Sequence, residues 1–389
     1  MSSRNTMESR RRPILALLFF VSGACGLIYE IAWSRLLVFV FGGTTFAIAT
    51  VLSCFMGGLA LGSFLAGRFG HRVRNPVRAY GVLEVAIGLA CLALPFGFDL
   101  AVPLYRSIAR LSGDSLVWLT VGRFAVAATL LLVPTTLMGA TLPLLCQAFT
   151  RRAGELGTTV ARLYGLNTLG AFVGCVACGF FLLPTLGLYH PMHIAALLNI
   201  GAGITAWLVA PVPDKTAAAA AAATAAAEPT AEHDLAVPLG ARSVLALFAL
   251  SGFAAMVYQV AWTRALILSM GASTYAFSSI VAAFILGLAL GSLGVRRWLE
   301  RTREPLGLAG GLELAIGLAA LGVVPLFGRL PAIVHDLARS GASFARMLTV
   351  ESLVVVGLVL VPTLCMGALL PIVCVIYRAA RSAELTRGS

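Results

Sequence analysis

Apolar runs of roughly eighteen residues or more recur ten times along this chain, and no other feature of the sequence restricts its fold so severely. In hydrocarbon every backbone N–H and C=O must find an internal partner, which leaves helices and closed barrels. The runs lack the alternation of barrel strands, so each is predicted to be a transmembrane helix. Composition agrees: 59% of the residues are apolar and 11% charged, against about 25% charged in a soluble domain. The expected spans are 14–41, 45–67, 79–98, 116–149, 163–186, 191–210, 243–268, 273–295, 306–327 and 345–377. The predicted fold class is an all-α polytopic membrane protein whose first partner is the lipid bilayer.

The net charge of +12 does not point to nucleic acid, because the basic residues are spread over short connections instead of gathering with aromatics on a soluble face. With the N-terminus inside, 20 of the 28 Lys and Arg fall in cytoplasmic segments, 5 outside and 3 within spans. Both termini are therefore predicted cytoplasmic. The basic stretch SRNTMESRRRP resembles a signal-peptide flank, but the apolar run after it passes any cleavage-like site and reads as a retained helix. The eight cysteines all lie in apolar segments and read as small apolar residues. Cys175 and Cys178 form a CxxC without further ligands nearby, so no metal site is expected. His190 and His193, at an outer turn, read as interfacial polar residues.

The chain repeats itself. Residues 22–69 align without a gap on 251–298, at an offset of 229 and with 18 identities in 48 positions. SGACGLIYEIAWSRL thus returns as SGFAAMVYQVAWTRA, keeping Tyr29/Tyr258, Trp33/Trp262 and Arg35/Arg264 while Glu30 becomes Gln259. Glu84 matches Glu313, and at an offset of 228 VPTTLMGATLP matches VPTLCMGALLP. Six spans separate the copies, so they run parallel, as do the halves of a major facilitator transporter. The second copy lacks counterparts of the last two helices of the first. The expected organisation is a six-helix bundle at 1–210, an alanine-rich cytoplasmic linker at 211–240 and a four-helix bundle at 241–389. Gly58 and Gly62, with Gly287 and Gly291, form GxxxG faces for close helix packing. Pro134 and Pro143 in the fourth span, and Pro362 and Pro371 in the tenth, predict a helix followed by a kinked or re-entrant piece.

Seven charges fall within spans: Glu30, Arg35, Glu84, Arg123, Arg264, Glu313 and Glu351. Each costs about 2.5–3.5 kcal/mol at a helix centre, so they are expected to pair or to face a polar cavity. Glu30 and Arg35 are five apart and do not share a helix face, so their partners are sought on other helices. Arg123 and Glu351 occupy equivalent positions, which suggests the pairs Glu30–Arg123 and Arg264–Glu351, or Arg123–Glu351. Two readings stand: structural salt bridges between bundles, or a solute or proton pathway. Tyr29, Glu30 and Trp33 also have the chemistry of an acidic aromatic site for an amine. The candidate substrate-binding or buried-charge set is Tyr29, Glu30, Trp33, Arg35, Glu84 and Arg123 with Tyr258, Gln259, Trp262, Arg264, Glu313 and Glu351.

The motifs SGxxGLxYExxWxR, GGTTFA, GLALGS, LYGLNTLGAFVG and MGATLP resemble the membrane part of bacterial proteins in which a major facilitator-like domain is fused to spermidine synthase. GSFLAGRFGHRVR at 62–74 is similar to the signature between spans 2 and 3 of major facilitator transporters, with Gly67 where that signature has aspartate. The resemblance implies the bacterial inner membrane and two bundles rocking about a central site bounded by spans 1, 4, 7 and 10. The synthase itself has no counterpart here: no strand–Gly-rich-loop–helix unit for an adenosyl cofactor is found, so no cofactor is expected and no catalytic residue is carried over. The function expected is transport of a small solute, a polyamine or related amine. The alternative is a membrane scaffold for a soluble synthase-like partner. A membrane enzyme acting alone is disfavoured by the missing cofactor motif.

Overall fold

The computed structural model describes residues 2–42, 45–113, 115–150, 155–211, 238–271, 273–299, 301–302 and 304–388. The linker predicted at 211–240 falls almost wholly outside them. Among the described residues there is no strand, and ten helices are long and apolar enough to cross a membrane. The chain is a multi-pass membrane protein.

The first six long helices are α1 (Ser2–Phe41), α2 (Thr45–Phe69), α3 (Pro76–Ser112), α4 (Leu116–Phe149), α5 (Leu156–Val176) and α6 (Tyr189–Val209). A π-helical turn, Ala177–Leu182, and a last turn, Leu183–Leu186, continue α5. After the linker come α7 (Ala241–Met270), α8 (Thr274–Leu299), α9 (Pro305–Phe327), the short α10 (Leu330–Arg339) and α11 (Phe344–Gly388).

Local chemistry sets several ends. Asn75 caps α3 by accepting from the Arg78 N–H at 3.1 Å, with Pro76 in the first turn where its missing N–H costs nothing. Gly42 after α1 and Gly271 after α7 both take positive φ, 83° and 86°, which releases the chain from the helix at equivalent places in the two copies.

Two expectations are corrected. The third span is not confined to 79–98, since α3 continues through Pro95 and Pro103 to Ser112. Its 37 residues rise about 55 Å, well beyond a hydrocarbon core of about 30 Å. The prolines of the fourth and tenth spans do not break their helices either; α4 and α11 run unbroken through them. One reason is visible in α4. Pro143 cannot donate to the Gly139 carbonyl one turn back, and Ser63 Oγ on α2 donates to that oxygen instead, at 2.8 Å.

Close packing rests on small residues. In the first copy α2 meets α4 where Gly58 faces the Thr135 side chain, Gly62 the Thr136 carbonyl and Gly139 the Leu59 carbonyl. In the second, α8 meets α11 where Gly287 faces Thr363, Gly291 the Leu364 carbonyl and Gly367 the Leu288 carbonyl. A Cβ at any of these glycines would collide with its neighbour. α5 packs against α1 and α6 against α3. α5 also joins the halves through α8: Ser292 Oγ donates to the Ala161 carbonyl at 3.0 Å, and Gly179 lies against Ser278.

Candidate functional site

Spacing alone places Tyr29 and Trp33 one turn apart on one face of α1. Their rings stack with centroids 5.2 Å apart and planes 15° from parallel, and both are fully buried. Tyr258 and Trp262 on α7 repeat the stack at 5.1 Å and 20°.

Tyr29 leads into a buried polar network. Its hydroxyl donates to Asn199 Oδ1 on α6 at 3.1 Å. Asn199 Nδ2 donates to Glu84 Oε2 on α3, and Ser22 Oγ on α1 donates to Glu84 Oε1 at 2.5 Å. Glu84 and Asn199 are buried. The carboxyl of Glu84 is thus held by groups from two other helices, and the network ties α1, α3 and α6 together. Low surrounding polarity raises the worth of such a network when it is satisfied.

Glu30 is the next residue after Tyr29 but points about 100° round the helix, away from that network. It lines a second feature, an open interhelical cleft with walls from α1, α2, α7 and α8. Gln259, Thr263 and Arg264 of α7 share the cleft with Glu30, and Phe55 and Val281 give it apolar wall. Sequence reasoning led to spans 1, 4, 7 and 10; α4 and α11 contribute no side chain to this lining.

The other charges are placed separately. Arg35 Nη2 donates to the Ser273 carbonyl at 3.0 Å, and its guanidinium sits 5.5 Å from the Phe277 ring centre. Arg123, buried on α4, donates from Nε to the Tyr105 hydroxyl on α3 at 2.9 Å. The expected ion pairs Glu30–Arg123, Arg264–Glu351 and Arg123–Glu351 do not form among the described residues. Arg123 instead gives its Nε–H to a phenol on the neighbouring helix. Glu351 is half-buried and Glu313 is exposed. The site residues therefore divide: Tyr29 joins Glu84; Glu30 joins Gln259 and Arg264; Arg35, Arg123, Glu313 and Glu351 belong to neither group.

Sequence reasoning missed Ser22, Asn199, Tyr105 and Ser273. Asn199 had a signal, an amide in the middle of the apolar run LLNIGAGI. Tyr105 had none, since it lay beyond the predicted end of the third span. His190 and His193 have ring centres 6.4 Å apart, and His190 Nδ1 lies 2.8 Å from the carbonyl of Leu186, across the turn that precedes α6. Cys175 and Cys178 donate to the carbonyls of Ser278 and Ile28, at 3.4 and 3.7 Å.

Fold and site together define a helical, multi-pass membrane protein with a largely apolar interhelical cleft that holds Glu30 and Arg264. No family model matches the chain. Its homologues are named polyamine aminopropyltransferases and cover about half of it. Polyamine aminopropyltransferase 1 of Streptomyces coelicolor is 31% identical over 194 residues, 50% of this chain and 33% of that protein. Polyamine aminopropyltransferase 2 of the same organism is 34% identical over 170 residues, 43% of this chain and 29% of that protein. Polyamine aminopropyltransferase of Mycobacterium tuberculosis is 30% identical over 200 residues, 50% of this chain and 35% of that protein. The aligned stretch spans about a third of the length of these relatives.

Proposed function

We propose that this chain is a transporter-like protein of the bacterial inner membrane, working in polyamine-related chemistry, and that it takes a small amine-bearing solute into the cleft between α1, α2, α7 and α8. The observation that carries this reading is Glu30. It is a carboxylate within a membrane span, on the wall of a cleft between helices of the two halves. The names of the relatives support the amine class.

In this reading two parallel bundles, 1–210 and 241–389, move about the cleft in the manner of major facilitator transporters, with both termini cytoplasmic. Support comes from the repeated sequence, the matched aromatic stacks and the matched glycine contacts of α2 with α4 and α8 with α11. The test is uptake of radiolabelled putrescine or spermidine into proteoliposomes containing the purified chain. Uptake above that of empty liposomes, lost in Glu30→Gln, supports the reading; equal uptake by both variants removes Glu30 from it.

A second reading is a membrane scaffold that holds a synthase-like enzyme. It is favoured by the coverage of the relatives, whose aligned part is about a third of their length. Co-purification of a soluble aminopropyltransferase from native membranes, with no amine uptake by the chain, would favour it over transport.

A further inference from the structure

We infer that the ligand of the α1–α2–α7–α8 cleft is a zwitterion of the amino-acid type, its ammonium group set toward Glu30 and its carboxylate toward Arg264. The inference rests on the proposed reading of this cleft as a solute site and names the class of solute.

Three of the other charges in the spans are satisfied within the protein. Glu84 accepts from Ser22 and Asn199. Arg123 donates to Tyr105. Arg35, the counterpart of Arg264 in the first copy, donates to the Ser273 carbonyl and rests on Phe277. Among the described residues Glu30 and Arg264 make no such bond; Glu313 and Glu351 make none either, but Glu30 and Arg264 lie together. They come from different helices, α1 and α7, and line one cleft. Among the described residues they are joined neither to each other nor to any other side chain by a hydrogen bond or ion pair. An acid and a base that share a cavity and leave each other free present two opposite charges to whatever enters it.

The charge of the walls then selects the guest. A polycation that satisfies Glu30 brings its remaining charges beside Arg264, and an anion that satisfies Arg264 is repelled by Glu30. A molecule with one charge of each sign meets both groups. The guanidinium suits a carboxylate because its planar donors match the two oxygens. Gln259 adds an amide donor and acceptor, Thr263 a hydroxyl, and Phe55 and Val281 an apolar surface for the carbon skeleton. The change from Glu30 to Gln259 between the two copies has a role here. A second carboxylate at 259 would leave the cleft with two acids against one base and favour a cation, whereas the neutral amide keeps one charge of each sign.

Binding to the full chain in lipid nanodiscs tests this by calorimetry. The probes are a panel of neutral α-amino acids, the methyl ester and the N-acetyl derivative of any that binds, and putrescine. At least one amino acid is expected to bind ten-fold or more tightly than its cationic ester, its anionic acetyl derivative and putrescine. Glu30→Gln should weaken the amino acid ten-fold or more while sparing the acetyl derivative. Arg264→Gln should weaken it similarly while sparing the ester. Glu30→Asp and Arg264→Lys, which retain charge, should recover part of the loss; if they do not, and the Gln variants elute as aggregates, a folding defect explains the loss and the inference is overturned. Putrescine binding with every amino acid silent overturns the zwitterion and leaves the amine reading standing. Silence of all probes overturns both.

Discussion

The two copies of the repeat share a device and differ in what surrounds it. Tyr29 stacks on Trp33 and Tyr258 on Trp262 in nearly the same geometry. Around the first stack α5 and α6 close over α1 and α3. Gly23 lies against the Asn167 carbonyl, Gly81 against the Gly203 carbonyl and Gly88 against the Ala196 carbonyl. Around the second, the counterparts Gly252, Gly310 and Gly317 have open space beside them. Glu84 is buried and bonded; Glu313 is exposed. Burial therefore comes from the helices that pack against the motif, and the motif does not carry it. The same holds for Arg123 and Glu351. Tyr105 occupies the first site, while the residue at its offset in the second copy is Ile333, on α10, which is cut from α9 at Gly328 where α3 runs on.

Matched substitutions in the two halves break or sharpen this comparison. The largest difference is expected for Glu84→Leu against Glu313→Leu. The first removes two hydrogen bonds to a carboxyl and strands Asn199, a loss of about 3 kcal/mol; the second should stay within about 0.5 kcal/mol. Denaturant unfolding in micelles measures both, and equal losses would mean that the halves are supported alike. Next comes Gly81→Val, which forces a side chain onto the α6 backbone and should cost about 2 kcal/mol by overpacking. Gly310→Val should be close to neutral in the same assay. Smaller effects follow for single hydrogen bonds. Tyr29→Phe loses its bond to Asn199 and should cost about 0.6 kcal/mol. Tyr258→Phe should register nothing. Ser63→Ala, which leaves the Gly139 carbonyl without its hydroxyl donor, should cost a similar ~0.6 kcal/mol. Faster backbone amide exchange in α4 near Pro143 would accompany that loss, and its absence would show that the helix does not need the serine.

Much of the fold was legible because hydrophobic length is a local property. Ten spans were expected, and ten helices of sufficient length and apolarity are present among the described residues. Their ends were less legible. The third span was expected to close at 98, yet α3 passes Pro95, Asp99 and Pro103, and α10 had no counterpart in the expected list. The site was readable only in its inventory. The five-residue gap between Glu30 and Arg35 sent the search to other helices, but Arg35 meets the Ser273 carbonyl just before α8 and Glu30 meets no side chain among the described residues. Which partner a charged group meets depends on contacts across long stretches of chain, 238 residues for Arg35 with Ser273 and 115 for Asn199 with Glu84. Charge matching sought acids for Arg123 and missed a phenol, because a neutral oxygen can also accept from a buried guanidinium.

The glycine contacts also govern how the molecule can move. Where Gly62 meets the Thr136 carbonyl and Gly291 the Leu364 carbonyl, main chain lies on main chain with no side chain between. An interface made of side chains absorbs a small displacement by switching rotamers; one made of bare backbone has none to switch. α2 with α4, and α8 with α11, are stiff couples for that reason. Compliance is left to the seams that side chains fill, and the cleft walled by α1, α2, α7 and α8 is one of them.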